Sequence, residues 1–195
     1  MNKILNFKNE LYRKLIHLIS LFIPIIYLWT SYYQFNLILL TITLIIIIID
    51  TNKQRNNYLS KMFKNIFSSV IRKYEKNALL SASYMLIGFL IISVLISNKY
   101  IVVASMFITA ISDSIAAVIG IKYGRIKLIN NKTLEGSLGF FISTIIIISL
   151  FNLLNSVLLL FIYCLLITLT ELLTISEYDN LTIPLSSGLI LFFIV

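Results

Sequence analysis

The side chains best suited to chemistry lie in one stretch of the sequence, residues 109–141. Asp113 stands inside an otherwise apolar run, where a carboxylate costs about 2.5–3.5 kcal/mol to insert into a membrane and is by default a functional residue. Lys132 and Glu135 follow at the start of another apolar run. Lysine suits phosphate, and Mg²⁺ favours carboxylates together with water and substrate phosphates. The stretch therefore predicts a site for metal and phosphate at a membrane surface. The alternative for the Lys-Glu pair is a charged helix cap with a local salt bridge.

Small residues follow Asp113 at helical spacing: Ala116, Ala117, Gly120 and Gly124. They share one helical face with Asp113, and they would let another helix, a metal ion or a substrate phosphate come close. The alternative is a helix-packing face on which Asp113 is paired with a lysine.

A basic group leads into the first apolar run. Arg13, Lys14 and His17 lie within about one helical turn of each other. Arginine can hold phosphate as a two-pronged donor and lysine as a point charge, so the group predicts phosphate binding. The alternative is an ordinary anchor at the membrane interface, with the histidine reaching toward water.

Three more acids, Glu171, Glu177 and Asp179, lie near the other end of the chain. Together with Asp113 and Glu135 they form the kind of acidic group that binds a divalent cation. The alternative for the last of them is turn chemistry, because an Asp-Asn pair commonly precedes a helix that proline begins.

Apolar helices must position these groups. Of 195 residues, 59% are hydrophobic and 12% charged, against about 25% charged in soluble domains. The mean hydropathy is +0.96. The apolar runs are close to the ~20 residues that cross a bilayer as a helix. The sequence therefore predicts an all-α, polytopic integral membrane protein with a single catalytic domain over residues 1–195. Seven spans are expected, at about 16–29, 36–49, 78–97, 100–121, 137–151, 156–173 and 183–195.

One polar segment is of a different kind. Between about residues 54 and 75, apolar residues recur every three or four positions opposite a basic face, which predicts an amphipathic helix lying on an anionic membrane surface.

The net charge of +8 is therefore assigned to the membrane interface. Nucleic acid is not an expected partner, because no basic stretch alternates with aromatic residues in a soluble segment. Cys164 is the single cysteine, which excludes a disulfide framework.

The basic residues are divided unevenly between the two sides of the membrane. With the N-terminus in the cytoplasm, 15 of the 16 Lys and Arg residues fall in cytoplasmic segments, and Lys99 falls outside them. Such asymmetry predicts the orientation. We expect a cytoplasmic N-terminus and active site, a C-terminus on the far side and, in a bacterium, location in the inner membrane. All eight acids fall on or toward the cytoplasmic side.

Four motifs in this order resemble those of the CTP-dependent lipid kinases, which include dolichol kinase, phytol kinase and CTP-dependent diacylglycerol kinase and belong with the phosphatidate cytidylyltransferase clan. The resemblance spans residues 10–188. The motifs are Glu10-x-x-Arg13-Lys14-x-x-His17, Asp113-x-x-Ala116-Ala117-x-x-Gly120-x-x-Tyr123-Gly124, Lys132-Thr-Leu-Glu135-Gly136-Ser137, and Glu171 followed by Asp179-Asn180-Leu-Thr-Ile-Pro184-Leu.

The resemblance implies transfer of the γ-phosphate of CTP to the hydroxyl group of a membrane lipid, with Mg²⁺ or another divalent cation. The implied acceptors are a polyprenol or dolichol, a phytol-like isoprenoid alcohol, or a diacylglycerol. The apolar spans carry no signature that separates these lipids or sets an oligomeric state. The implied catalytic residues are Asp113, Glu135 and Lys132. The implied nucleotide- or phosphate-binding residues are Arg13, Lys14, His17, Lys132, Gly136 and Asn180. The implied metal ligands are Asp113, Glu135, Glu171 and Asp179.

Two departures from the family pattern bear on this expectation. Related kinases often have two acids before the asparagine, and here the first is Tyr178, so one metal contact is missing or is supplied by Glu177. The longer C-terminal signature of cytidylyltransferases is absent, which favours a kinase over the alternative, a phosphatidate cytidylyltransferase-like CTP:lipid nucleotidyltransferase. A third alternative is a non-catalytic membrane protein or small transporter. Transporters often carry paired repeats, and this sequence shows none.

Overall fold

The computed structural model describes residues 2–53, 75 and 78–195. Within them the chain forms nine α-helices and no strand. The helices are α1 (Asn2–Ile19), α2 (Phe22–Trp29), α3 (Tyr32–Asn52), α4 (Ser81–Leu95), α5 (Lys99–Phe107), α6 (Asp113–Tyr123), α7 (Leu134–Phe151), α8 (Val157–Leu173) and α9 (Asp179–Ile194). The all-α class predicted from the sequence is confirmed. The predicted surface helix over 54–75 lies outside the described residues, except for Glu75.

Four helical segments are long and apolar enough to cross a membrane: Glu10–Trp29, Tyr32–Asn52, Lys99–Tyr123 and Leu134–Phe151. They are compatible with an integral membrane protein. The other three predicted spans coincide with α4, α8 and α9, apolar helices of 15 to 17 residues. At 1.5 Å per residue these helices reach about 22–26 Å, against a hydrocarbon core of ~30 Å. The predicted count of seven spans is therefore not confirmed.

The first predicted span, residues 16–29, consists of two helices. α1 and α2 meet at a turn in which the carbonyl of His17 accepts hydrogen bonds from the main-chain N–H of Ser20 at 3.0 Å and from its hydroxyl at 2.5 Å. Pro24 explains the break, because proline has no N–H to donate to the carbonyl four residues earlier and is tolerated in the first turn of a helix. The helix therefore restarts just before Pro24.

A continuous helix over Lys99–Tyr123, formed by α5, a π-helical turn and α6, lies at the centre of the bundle. It contacts α1, α7 and α9. The π-helical turn covers Ile108–Ser112, and the main-chain N–H of Asp113 donates to the carbonyl of Ile108, five residues earlier. The extra residue in this turn rotates the rest of the helix relative to α5. The π-helical turn therefore determines which neighbour Asp113 faces.

α6 and α7 approach closely along the predicted strip of small residues. A Cβ atom on Gly136 would lie 2.9 Å from the carbonyl oxygen of Ala116, and a Cβ atom on Gly120 would lie 2.9 Å from Oγ1 of Thr133. The missing side chains admit backbone contact between the two helices. Thr133 also caps α7, because its hydroxyl accepts a hydrogen bond from the N–H of Gly136 at 3.2 Å. The start of α7, next to Lys132, is thus held against α6.

α9 begins four residues earlier than the sequence predicted, at Asp179 rather than Ile183. Asp179 and Asn180 therefore belong to its first turn, and Pro184 lies inside the helix. Proline leaves the carbonyl of Asn180 without its usual helical donor. α4 packs against this point, where a Cβ atom on Gly88 would lie 3.2 Å from that carbonyl oxygen. The close crossing fixes the start of α9 against α4.

Candidate functional site

A polar cavity of about 380 Å³ opens between α1, α6, the start of α7, the end of α8 and the start of α9. Eight of the ten predicted site residues line it: Arg13, Lys14, Asp113, Lys132, Gly136, Glu171, Asp179 and Asn180. His17 and Glu135 do not line it. The fold therefore brings the basic N-terminal group, the central acid and the acids of the last two helices to one place.

Lys14 and Asp113 form an ion pair that joins α1 to α6. The ammonium group of Lys14 donates to Oδ2 of Asp113, and the two side chains are 6% and 8% exposed. This is the pairing that the sequence left open as an alternative for Asp113. Pairing explains how both charges tolerate burial, because an isolated ion would lose several kcal/mol of hydration. Both residues also border the cavity, so the pair remains within reach of a ligand.

Lys132 joins the end of α8 to the start of α9. Its ammonium nitrogen lies 3.0 Å from Oε1 of Glu171 and 2.9 Å from Oδ1 of Asp179, and it also donates to the main-chain carbonyl of Glu171. A cation at the C-terminal end of a helix is further favoured by the helix dipole. One lysine thus gathers two carboxylates on the wall of the cavity.

Asn180 and His17 connect the helices around this site, whereas the ion pair of Arg13 lies within α1. Arg13 Nη1 lies 2.6 Å from Oε2 of Glu10, which also borders the cavity. The side-chain amide of Asn180 donates to the carbonyl of Ser81 at 3.0 Å, and its nitrogen is 3.3 Å from Nε2 of His17. His17 is buried behind Asn180. In this structure His17 positions a cavity residue rather than lining the cavity.

Glu135 lies apart from the other predicted acids. Its Oε1 accepts hydrogen bonds from the main-chain N–H groups of Arg125 at 3.0 Å and Ile126 at 3.4 Å, so its carboxylate holds the loop between α6 and α7. The same loop is anchored to the end of α8 by Asn130, whose amide donates to the carbonyl of Leu173 at 2.9 Å. Asn130 has a positive φ of 57°, which asparagine tolerates better than most residues.

Two buried oxygen atoms on residues of the cavity wall have no hydrogen-bond partner within the described part of the chain. They are Oε2 of Glu171 and Oγ of Ser137. Buried polar atoms are normally paired, so each indicates a ligand or water at this position. The sequence assigned no role to Ser137, although it lies in the Lys132–Ser137 motif in the first turn of α7. It also assigned none to Glu10, which stands one turn before Arg13.

The donor set fits Mg²⁺ that is shared with a phosphate ligand. Among the described residues, no three His, Cys, Asp or Glu side chains lie close enough together to hold a metal ion by themselves. Mg²⁺ usually takes one or two carboxylates and completes its shell with water and substrate phosphates. Glu171 and Asp179 supply two neighbouring carboxylates, and Oε2 of Glu171 is available. The predicted metal site stays a prediction that these residues can satisfy.

Comparison with known proteins gives the family of the chain. It is 35% identical over 194 residues to the uncharacterized protein RP860 of Rickettsia prowazekii, covering 93% of this chain and 92% of RP860. It is 33% identical over 141 residues to the uncharacterized protein MJ1137 of Methanocaldococcus jannaschii, covering 72% of this chain and 71% of MJ1137. The chain belongs to the family of RP860 and MJ1137. No model of a known protein family matches this chain, and no solved structure matches it.

A similarity to a named enzyme extends beyond these two relatives. Over 139 residues the chain is 29% identical to CTP-dependent diacylglycerol kinase 1 of Saccharomyces cerevisiae. The match covers 69% of this chain but 47% of the yeast protein, so the chain spans about half the length of that relative.

Proposed function

We propose that this member of the RP860 and MJ1137 family is a lipid kinase that transfers the γ-phosphoryl group of CTP to the hydroxyl group of a membrane lipid. The observation that carries the proposal is the arrangement of Lys14 and Lys132, which face one cavity while each holds a buried carboxylate. The partial similarity to the yeast CTP-dependent diacylglycerol kinase supports the same reaction class.

The cavity has the charges that phosphoryl transfer requires. Catalysis of this reaction is mostly positioning and electrostatic stabilisation, with little covalent chemistry for the protein to do. Three positively charged side chains line the cavity and could neutralise a triphosphate: Arg13, Lys14 and Lys132. Each of them is paired with an acid in this structure. Binding of the triphosphate would break these ion pairs. The lysines would then contact phosphate oxygens, and their carboxylate partners would be released.

The released carboxylates then have separate tasks. Glu171 and Asp179 would hold Mg²⁺, which supplies neutralisation of the triphosphate charge when bound. Asp113 would accept the proton of the lipid hydroxyl group while the hydroxyl oxygen bonds to the γ-phosphorus and the bond from that phosphorus to the CDP oxygen breaks. The position of Asp113 favours this task, because its carboxylate borders the cavity and its partner Lys14 would turn to the triphosphate.

The proposed acceptors are a polyprenol, a phytol-like isoprenoid alcohol or a diacylglycerol. The distribution of Lys and Arg supports a cavity that opens on the cytoplasmic side, and on the inner membrane in a bacterium. CTP on that side and a lipid alcohol within the bilayer would then meet at the membrane surface.

Label transfer tests the proposal directly. The full chain would be purified in detergent or liposomes and given Mg²⁺, γ-labelled CTP or ATP, and a panel of phytol, farnesol, a long polyprenol and diacylglycerol. We expect label from CTP in one lipid class together with release of CDP. Release of pyrophosphate would instead indicate a nucleotidyltransferase, and no transfer from either nucleotide by folded protein would contradict the proposal.

A further inference from the structure

An apolar groove of about 240 Å³ runs between α1 and α6 on the other side of Lys14. Its α1 wall consists of Leu11, Leu15 and Leu18, which with Lys14 follow the three- and four-residue spacing of one helical face. The residues of its α6 wall, among them Ile115 and Val118, follow the same spacing. We call this feature the α1–α6 groove.

Apolar side chains line the groove along its length, and one charged group lies at its end. Ser114 is its other polar side chain within the described residues, and its hydroxyl already donates to the carbonyl of Ala110 at 2.6 Å. Lys14 borders both the groove and the polar cavity, and its ammonium group is bound to Asp113. A molecule that lies in the groove would therefore end at the Lys14–Asp113 pair.

Within the described residues, the groove opens at the surface of the helical bundle. Its walls belong to Glu10–Trp29 and Lys99–Tyr123, two of the segments that are long and apolar enough to cross a membrane. Leu15 is 48% exposed and Leu11 38% exposed in the described chain. An exposed apolar surface of this kind is stable where lipid chains cover it. The bilayer supplies such chains directly.

We infer that the α1–α6 groove binds the hydrocarbon chain of the lipid acceptor and brings its hydroxyl group to Asp113 at the edge of the cavity. The inference rests on the proposed function, and it adds the second substrate site, which would be reached sideways from the bilayer. CTP enters from the polar side of Lys14 and the lipid from its apolar side. The two substrates then meet at one ion pair without either crossing the other's path.

Photolabelling tests the groove without relying on catalysis. The probe is a long-chain primary alcohol with a diazirine in the chain, added to the full protein in phosphatidylcholine liposomes, and labelled residues are mapped by mass spectrometry. Leu165 and Leu169 on α8, which are also exposed, provide a matched lipid-facing control. We expect labelling at Leu15 and Val118 to saturate and to be lost with excess unlabelled phytol, polyprenol or diacylglycerol, whichever is the acceptor. Unsaturable labelling at the groove, equal to that on α8, would overturn the inference.

A filling variant provides the second arm. Val118→Phe places a larger side chain in the groove, and Leu165→Phe makes the same kind of change on α8. We expect Val118→Phe to lose the saturable labelling and to raise the KM for the lipid by about tenfold, since apolar contact with a few methylene groups is lost, while the KM for CTP stays unchanged. An unchanged KM for CTP also shows that the variant is folded. If Val118→Phe behaves like Leu165→Phe in both measurements, the groove is not the lipid site.

The two arms separate the inference from the proposal on which it rests. Saturable, competed labelling without any phosphoryl transfer would support the groove as a lipid site and contradict the kinase proposal. Phosphoryl transfer with unsaturable labelling would support the kinase and contradict the groove.

Discussion

Two of the buried lysine–aspartate pairs among the described residues, Lys53–Asp50 and Lys14–Asp113, differ in what surrounds them. At the junction of α3 and α4, Lys53 Nζ lies 2.6 Å from Oδ1 of Asp50, which is 1% exposed. The second carboxylate oxygen accepts hydrogen bonds from the main-chain N–H of Leu80 at 2.7 Å and from the hydroxyl of Ser83 at 2.6 Å. Both oxygens of Asp50 are thus satisfied by the protein.

The pair at the cavity is almost equally buried but less completely satisfied. Asp113 has one hydrogen-bond donor within the described chain, Lys14, and the neighbouring Glu171 has an oxygen without a partner. The cavity lies directly against both residues. A buried ion pair is therefore no indication of a functional site by itself. Open space beside incompletely satisfied charges distinguishes the candidate site from the structural junction at Asp50.

The largest effect should come from Asp113→Asn, which keeps the shape of the side chain and removes its charge. Loss of the proposed proton acceptor should lower the rate of label transfer from CTP to lipid by about a thousandfold, which corresponds to roughly 4 kcal/mol. Size-exclusion chromatography in detergent checks that the variant is folded. Activity within tenfold of the unchanged protein would remove Asp113 from the catalytic role.

Asp50→Asn should have the opposite outcome, with a loss of stability and little loss of specific activity. Lys53 would keep its hydrogen bond to the carbonyl of Ala78 but lose the negative charge of Asp50, which should cost about 3 kcal/mol of unfolding free energy. The measurement is the fraction of folded protein across a temperature series in detergent, with activity expressed per folded molecule. A variant of full stability but low activity would contradict the purely structural role assigned to the Asp50–Lys53 pair.

Glu171→Gln should change the dependence on metal rather than the stability. The variant retains an oxygen at this position but loses the charge that Mg²⁺ prefers, so the Mg²⁺ concentration for half-maximal activity should rise about tenfold. Glu177→Gln is the matched control, because Glu177 lies in the same corner of the chain but does not line the cavity. Equal Mg²⁺ dependence in both variants would contradict the assignment.

Much of the site could be predicted from the sequence because few environments tolerate a charged side chain in an apolar run. Buried charges need partners, so the acids of the apolar segments and the bases at their ends had to meet. Eight of the predicted residues consequently line one cavity. The apolar runs likewise indicated the helices, since backbone groups in hydrocarbon must be paired within a helix.

Other features depend on contacts that the sequence does not express locally. The π-helical turn before Asp113 and the early start of α9 at Asp179 depend on packing against neighbouring helices. The choice of Lys14 as partner for Asp113 follows from the same packing. The position of Glu135 depends on the path of the loop that precedes it, which turns two main-chain N–H groups toward its carboxylate. A motif that resembles a family predicts the residue type at such a position but not its contacts.

Glu135→Gln should therefore have the smallest effect, although the sequence ranks this residue with Asp113. Glutamine keeps an oxygen that can accept from the N–H groups of Arg125 and Ile126, and it loses the charge-assisted part of those hydrogen bonds, a change of about 1 kcal/mol. Activity should fall about fivefold or less, with the Mg²⁺ dependence unchanged. A thousandfold loss, or a shift in Mg²⁺ dependence like that of Glu171→Gln, would assign Glu135 a direct role in catalysis or metal binding. It would mean that the loop between α6 and α7 releases Glu135 to the cavity when substrates bind.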